Sequence, residues 1–333
     1  MRALQHLKQR LRERTHRERF EYQERLSDGQ IRLLTVCPGR FGSPIKCDLS
    51  VERLDDAPDY EALSYAWGEP TLCHTIWVQD KSCAVTESVY QALQYLRGRN
   101  HNLRIWIDAV CINQHDLREK GVQVQAMGHV YERATSCRVW LGAPLPGSEG
   151  ALRVIMQLAT ARDLQLEQVL EAGPGIRATL RNPWIFRLWA LQEVASSRQC
   201  VVSYGHASCE WRYLVGAYQA LHRLIHDAGS WAAIDPHYTQ IGGLWQAFRH
   251  VHSLEDTRHA VQTGCEEGAS LMILLWRASS RLCMDPRDHV FALRGLYERE
   301  SGGVVIPTSV DYSRSAVDVF VQATTQSLLH PGG

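Results

Sequence analysis

The sequence predicts an α/β fold, with a parallel sheet core flanked by helices. An N-terminal helix/strand extension precedes it and a mainly helical C-terminal region follows. Three observations predict this. Between residues 60 and 210, short apolar runs of strand length alternate with segments of helical periodicity, the order that builds right-handed βαβ units. One run, Leu103 to Val110, is almost continuously apolar, as a strand covered on both faces requires. Beyond residue 210 the strand-like runs give way to amphipathic helical segments.

Met1 to Leu26 lacks Pro and Gly and spaces Leu4, Leu7 and Leu11 at helical intervals, so a basic amphipathic helix is expected there. It suits an anionic lipid surface, a partner, or simple packing on the body. Ser27-Asp28-Gly29 breaks it, and Ile31 to Val36 reads as the first strand. Tyr60 to Tyr65 is a second strand, and Ile76–Val78 with Cys83–Val85 reads as a hairpin insertion. Ser88 to Leu96 aligns Val89, Leu93 and Leu96 on one helical face. The Leu103–Val110 strand leads to a helix over 121–134, and Ser136 to Leu141 is the next strand. A helix over 151–170 should end at the breaker Gly173-Pro174-Gly175. Asn182-Pro183 then supplies an N-cap and a first-turn proline for a helix to about Ala195. Gln199 to Tyr204 is a strand, and helices follow at about 211–227, 240–254, 268–283, 286–297 and 313–329.

The 333 residues carry 36 basic and 36 acidic side chains. A neutral body lacks the basic face of a dedicated nucleic-acid binder. Residues 1–25 hold eight basic and four acidic side chains, a local +4, so the rest of the 36 and 36 leaves 28 against 32, or −4. Apolar residues at 45% and charged ones at 22% are ordinary globular values. No apolar run approaches the length of a membrane span; Ala269 to Trp276 is far too short. The ten cysteines include no C-x-x-C pair, and the N-terminus has no apolar signal core. Reduced core cysteines and a cytoplasmic location are therefore expected.

Phosphate-loop, dinucleotide-loop, zincin and nucleophile-elbow motifs are absent. His222 and His226 lie four apart without an evident third ligand, and Cys111 with His115 is too unspecific a pair for a thiol nucleophile. Asp108, Asp116 and Glu119 lack metal-site spacing, so no metal centre is expected. Three segments instead combine polar groups with heavy aromatic content. They are Tyr60 to Gly68 (YEALSYAWG), Trp106 to Gln114 (WIDAVCINQ), and Asn182-Pro183-Trp184 with Arg187 to Glu193 (RLWALQE).

In this order the strings resemble the heterokaryon incompatibility (HET) domain family of filamentous fungi. Asp285 to Leu293 and Val310 to Ser313 resemble its closing motifs, so the likeness covers roughly residues 30–325. The basic arm at 1–26 lies outside the likeness, which leaves its role open; the resemblance implies a single HET domain over 27–330, with a core at about 60–210 and a helical part at about 211–330. It also implies a cell-death effector of allorecognition that oligomerises on activation, with a receptor or partner protein. Pro331-Gly332-Gly333 reads as the start of a linker.

The family is also similar to TIR domains, whose flavodoxin-like core cleaves NAD in some members. Those members use a glutamate in a W-x-x-x-E pattern, which Trp189 to Glu193 matches. The resemblance therefore implies an NAD glycohydrolase, with or without cyclase activity, in which Glu193 is catalytic. NAD is substrate here, and no cofactor is expected. Nicotinamide–ribose cleavage passes through a cationic, oxocarbenium-like state that one fixed carboxylate can stabilise. Open parallel sheets bind ligands beyond the carboxyl ends of their strands. Ser64, Asp108, Asn113 and Gln114 are then candidate ribose or phosphate contacts, and Tyr65 and Gly68 share the same strand end. Trp67, Trp184 and Trp189 are candidate stacking surfaces for the substrate rings. The same residues have plainer readings: buried tryptophans, loop caps, and a helix glutamate in a salt bridge. A non-enzymatic signalling or self-assembly module is the alternative function.

Overall fold

The computed structural model describes residues 18–161, 166–227, 238–263, 271–300 and 310–329. The chain forms two compact units: the part up to Tyr60 with Trp67–Asn113, and Glu61–Ala66 with the chain from Gln114 onward. The α/β class expected from the sequence holds in both.

The first unit is built on strands β1 (Gln30–Val36), β2 (Lys46–Arg53), β4 (Leu72–Val78), β5 (Lys81–Thr86) and β6 (Leu103–Trp106), in the order β5-β4-β2-β1-β6. Here the expectation of a parallel sheet fails. β1 runs antiparallel to both β2 and β6, β4 runs antiparallel to β5, and of these neighbours β2 and β4 alone are parallel. The connection from Cys37 to Ile45 is too short for the crossover that parallel neighbours need. β2 was not expected from the sequence. Its apolar alternation is diluted by Lys46, Asp48, Glu52 and Arg53, and its Val51 remains 49% exposed. The hairpin is as expected. Gln79 and Asp80 both take positive φ, 51° and 61°, as a two-residue turn that follows the strand twist demands.

Two further expectations are corrected in this unit. Residues 18–26 are not helical. Arg19 bridges Ser82, the Phe20 N–H donates to the Ser82 carbonyl, and the Ser82 N–H donates to the Glu18 carbonyl, each at 2.9 Å. Edge pairing on β5 and burial of Leu26 outweigh helical propensity there. The rest of that predicted helix, residues 1–17, lies outside the described residues. The strand expected to reach Val110 stops at Trp106, and a single helical turn, α2 (Asp108–Cys111), follows. The Asp108 carboxylate, at the first position of the turn, accepts from the Ala109 N–H at 2.7 Å. The helix α1 (Glu87–Leu96) begins as expected, with Thr86 as its N-cap.

In the second unit β3 (Glu61–Tyr65), β7 (Ser136–Trp140) and β8 (Cys200–Tyr204) are parallel, with Glu61↔Ser136, Tyr65↔Trp140 and Cys137↔Cys200 in register. The antiparallel edge strand β9 (Ala207–Glu210) follows a turn in which Gly205 has φ of 59°. Helix α3 (Leu117–Arg133) starts earlier than expected because Asp116 caps it, accepting from the Arg118 and Glu119 N–H groups at 3.1 Å. Helices α4 (Ala151–Thr160) and α5 (Leu166–Leu180) precede a 3-10 turn at Pro183–Phe186. The predicted breaker lies inside α5, which runs through Pro174. Packing against α4 and the later helix Tyr238–Thr263, with Val169, Ile176 and Leu180 buried, offsets the lost hydrogen bond.

The expected single helix from Asn182 to Ala195 is two pieces, the 3-10 turn and α6 (Ala190–Ser196). The Arg187 N–H donates to the Trp184 carbonyl and that of Leu188 to the Leu282 carbonyl, which bends the chain between them. The helical C-terminal region comprises α7 (Trp211–Asp227), α8 (Tyr238–Thr263), α9 (Leu271–Ala278), α10 (Asp288–Glu300) and α11 (Ala316–Leu329). Among the described residues no helix is long and apolar enough to cross a membrane.

Candidate functional site

Glu193 sits in the first turn of α6, where the helix dipole favours a negative charge. It is 1% exposed. Arg187 grips it with two parallel hydrogen bonds, Nη1 to Oε2 at 3.3 Å and Nη2 to Oε1 at 3.2 Å. Ser64, at the carboxyl end of β3 and fully buried, donates its hydroxyl to Oε2 of the same carboxylate. The Ser64 oxygen in turn accepts from Trp184 Nε1 at 2.6 Å. The local sequence explains why these groups converge. Asn182 Oδ1 caps the 3-10 turn through the Trp184 N–H at 2.9 Å, and its amide donates to the Leu141 carbonyl at 2.6 Å. That pins the turn beside β7 and drives Trp184 inward. The Ser197 hydroxyl donates to the Glu193 carbonyl at 2.6 Å and steadies the end of the short helix.

The result is a directed chain, Trp184 to Ser64 to Glu193, closed by Arg187. Chemically it presents a buried carboxylate paired with one guanidinium. The Arg187 side chain is 15% exposed and forms the outer side of the pair. Cys137, on β7, has its thiol pushed well up by burial, by the neighbouring Cys200 and by the charge of Glu193.

Trp189 goes elsewhere. Its Nε1 donates to Asp288 Oδ2 at 3.0 Å, and the Tyr312 hydroxyl donates to Asp288 Oδ1 at 2.8 Å. The one-turn spacing of Trp189 and Glu193 therefore does not aim both polar groups at one point, because the bend before α6 leaves Trp189 at the N-cap. Burial pushes the Asp288 carboxyl up, against the lowering effect of its two donors, and the Tyr312 phenol is raised as well. Asp285 is held below its ordinary range, chiefly by hydrogen bonds from Arg287, which also donates to the Tyr312 and Arg314 carbonyls. Asp285–Asp288 thus does more than start a helix. It ties α10 to the segment around Tyr312.

Of the other candidates in the second unit, Tyr65 is 1% and Trp184 is 0% exposed, so both rings are enclosed. Trp184 meets Trp211 edge-on at 6.2 Å. Gln114 is half-buried in the loop before α3. In the first unit Trp67 Nε1 donates to Asp108 Oδ2 at 2.8 Å, so two predicted site residues are joined directly. Gly68 is exposed at φ of 67°, and Asn113 is half-buried in the loop after α2. The end of α2 and the start of that loop are anchored from the residues before β1 and from β1: the Tyr22 hydroxyl donates to the Val110 carbonyl at 2.9 Å and the Ile112 carbonyl at 3.3 Å, and Arg32 donates to the Cys111 carbonyl at 3.2 Å. Cys111 is fully buried, and its thiol is pushed up to about 12 by that burial, which suits packing rather than nucleophilic attack.

Arg187 and Asp288 belong to these clusters, although nothing in the sequence marks either as a partner of Glu193 or Trp189. The signal for Arg187 was its spacing of six from Glu193 across a bend, which helical periodicity does not pair.

The second unit is thus an α/β module in which a buried carboxylate, paired to arginine, lies at the carboxyl end of a parallel strand. By sequence, residues 60–193, which take in parts of both units, match the model of the heterokaryon incompatibility protein (HET) family. That segment is thus similar to the HET family, in keeping with the resemblance of its motifs. The chain is also 32% identical over 153 residues to "Heterokaryon incompatibility protein 6, OR allele" of Neurospora crassa, covering 42% of this chain and 22% of that protein. The match therefore spans about a fifth of the relative's length. No solved structure matches the chain.

Proposed function

We propose that this chain supplies the HET module of a fungal incompatibility effector, and that Glu193 is the carboxylate through which it cleaves the nicotinamide–ribose bond of NAD. The observation that carries the reading is the Glu193 cluster. A buried carboxylate, fixed by Ser64 and Arg187, stands at the strand end where ligands of parallel sheets bind. In the reaction the C1′–N bond breaks and its electron pair returns to the pyridinium nitrogen, so nicotinamide leaves neutral. Glu193 stabilises the cationic ribose that remains, water adds to C1′, and the proton passes to solvent. Glu193 is 1% exposed, so this state is closed. Opening requires Arg187, on the outer side of the pair, to swing away. Self-association or a partner would supply the energy of that step.

The same burial favours a second reading, a non-enzymatic signalling module in which Glu193 only secures α6. Expression in fungal cells separates the two. On the first reading the wild-type chain lowers cellular NAD and kills, while Glu193→Gln, present at equal level, does neither. Killing by a folded Glu193→Gln protein with NAD unchanged supports the second reading and removes the first.

A further inference from the structure

A cluster in the first unit has the chemistry of a metal site. Cys73, His74 and Glu87 place a thiol sulfur, an imidazole nitrogen and a carboxylate oxygen within 4.8 Å of one another. Adjacent residues of a regular strand point to opposite faces, so Cys73 and His74 should not share a ligand. They do because β4 is irregular at this point. Leu72 pairs with Thr86 and His74 with Val85, leaving Cys73 as an extra residue in a bulge. Bulges re-aim side chains in this way. Glu87 follows Thr86, the last residue of β5 and the N-cap of α1, and so projects beside them.

We propose that Cys73, His74 and Glu87 bind a divalent transition-metal ion of the zinc class, with water completing the coordination. The donor set of one sulfur, one nitrogen and one oxygen is that of a tetrahedral zinc site with one open position. Outer support is present on the His74 ring face and at Glu87. The His74 ring stacks on Tyr90, with centroids 4.2 Å apart and planes within 9°, which sets its orientation. Its Nε2 faces the Glu87 carboxylate in direct hydrogen-bond contact. The other Glu87 oxygen accepts from Gln91 Nε2 at 2.5 Å. Tetrahedral ligand atoms lie about 3.4–3.8 Å apart, so His74 and Glu87 must part slightly while Cys73 closes in, small movements of exposed or half-exposed side chains. The ion would take the place of the proton between His74 and Glu87 and release the Cys73 thiol proton. It would then pin the bulge of β4 to the first turn of α1.

Cobalt titration of the whole chain under reducing, oxygen-free conditions tests this, because Co2+ reports thiolate and tetrahedral ligation by colour. The expected result is one equivalent bound, with a near-ultraviolet thiolate band and visible bands that Zn2+ abolishes. Cys73→Ser should lose the ultraviolet band, His74→Ala should lose binding, and Gln91→Ala should weaken it about tenfold. All these positions are at the surface or half-exposed, so the variants fold, and circular dichroism checks that they do. The chain has ten cysteines. A cobalt spectrum unchanged by Cys73→Ser would overturn the assignment, as would a wild-type chain that stays colourless in excess Co2+.

Discussion

At the scale of single residues, the Glu193–Arg187 pair carries most of the consequence. It is buried and bidentate, so deleting one partner strands the other charge, at a cost of about 3–5 kcal/mol. Glu193→Ala should therefore lower the melting midpoint sharply, whereas Glu193→Gln, which keeps the shape and part of the hydrogen bonding, should lower it less. A denaturant titration of both variants checks this order. Asp285 gives a pH dependence whose sign follows from its depressed carboxyl. Its stabilisation is complete above the ordinary carboxylate range of about 4 and is lost as pH falls through the folded value. Asp288 works oppositely: its raised carboxyl favours the fold at low pH, and that contribution fades as pH rises through its folded value. Asp285→Asn should accordingly flatten the loss of stability below about pH 4, measured by thermal melts across pH. Glu193 was legible as a candidate because W-x-x-x-E is a string. Ser64 was legible as a candidate substrate contact but not as a partner of Glu193, 129 residues away, and Arg187, six residues away, was not legible at all.

At the scale of elements, the expected strands at β1, β3, β7 and β8 and the helix α1 appear where apolar spacing put them. What periodicity could not supply was competition from distant partners. Pairing with Ser82 extended residues 18–20, Asp108 cut a strand short, and packing carried α5 through Pro174. β2 stayed hidden because a half-exposed edge-like segment keeps too many charges to alternate cleanly. Two substitutions test these local accounts. At Gly121, in α3, an added Cβ would lie 2.6 Å from the Val310 carbonyl oxygen. Backbone cannot yield as a side chain does, so Gly121→Ala should destabilise by about 1–3 kcal/mol in a chemical melt. Asp80, at φ of 61° in the β4–β5 turn, holds a conformation that glycine adopts freely. Asp80→Gly should stabilise by up to about 1 kcal/mol, since the Lys46–Asp80 pair it removes is exposed at 3.8 Å and contributes little.

At the scale of the whole chain, the ordered motifs resemble a family that neither composition nor a neutral charge could suggest. The family match covers residues 60–193 and so takes in segments of both units. The aromatic strings Tyr60–Gly68 and Trp106–Gln114 thereby acquire separate structural roles. The first delivers Ser64 to Glu193, and the Trp67–Asp108 bond links the two strings within the first unit. The central claim is that Glu193 is a working carboxylate held in a closed state, not merely a structural anion. Its most direct test is nicotinamide release from NAD by the purified chain, dilute and then artificially oligomerised, beside a Glu193→Gln protein of matched melting behaviour. The account predicts release by the oligomerised wild type and at least a hundredfold less by Glu193→Gln, about 2.7 kcal/mol in the barrier. Equal release by the two proteins, or none from the oligomerised wild type, would contradict it.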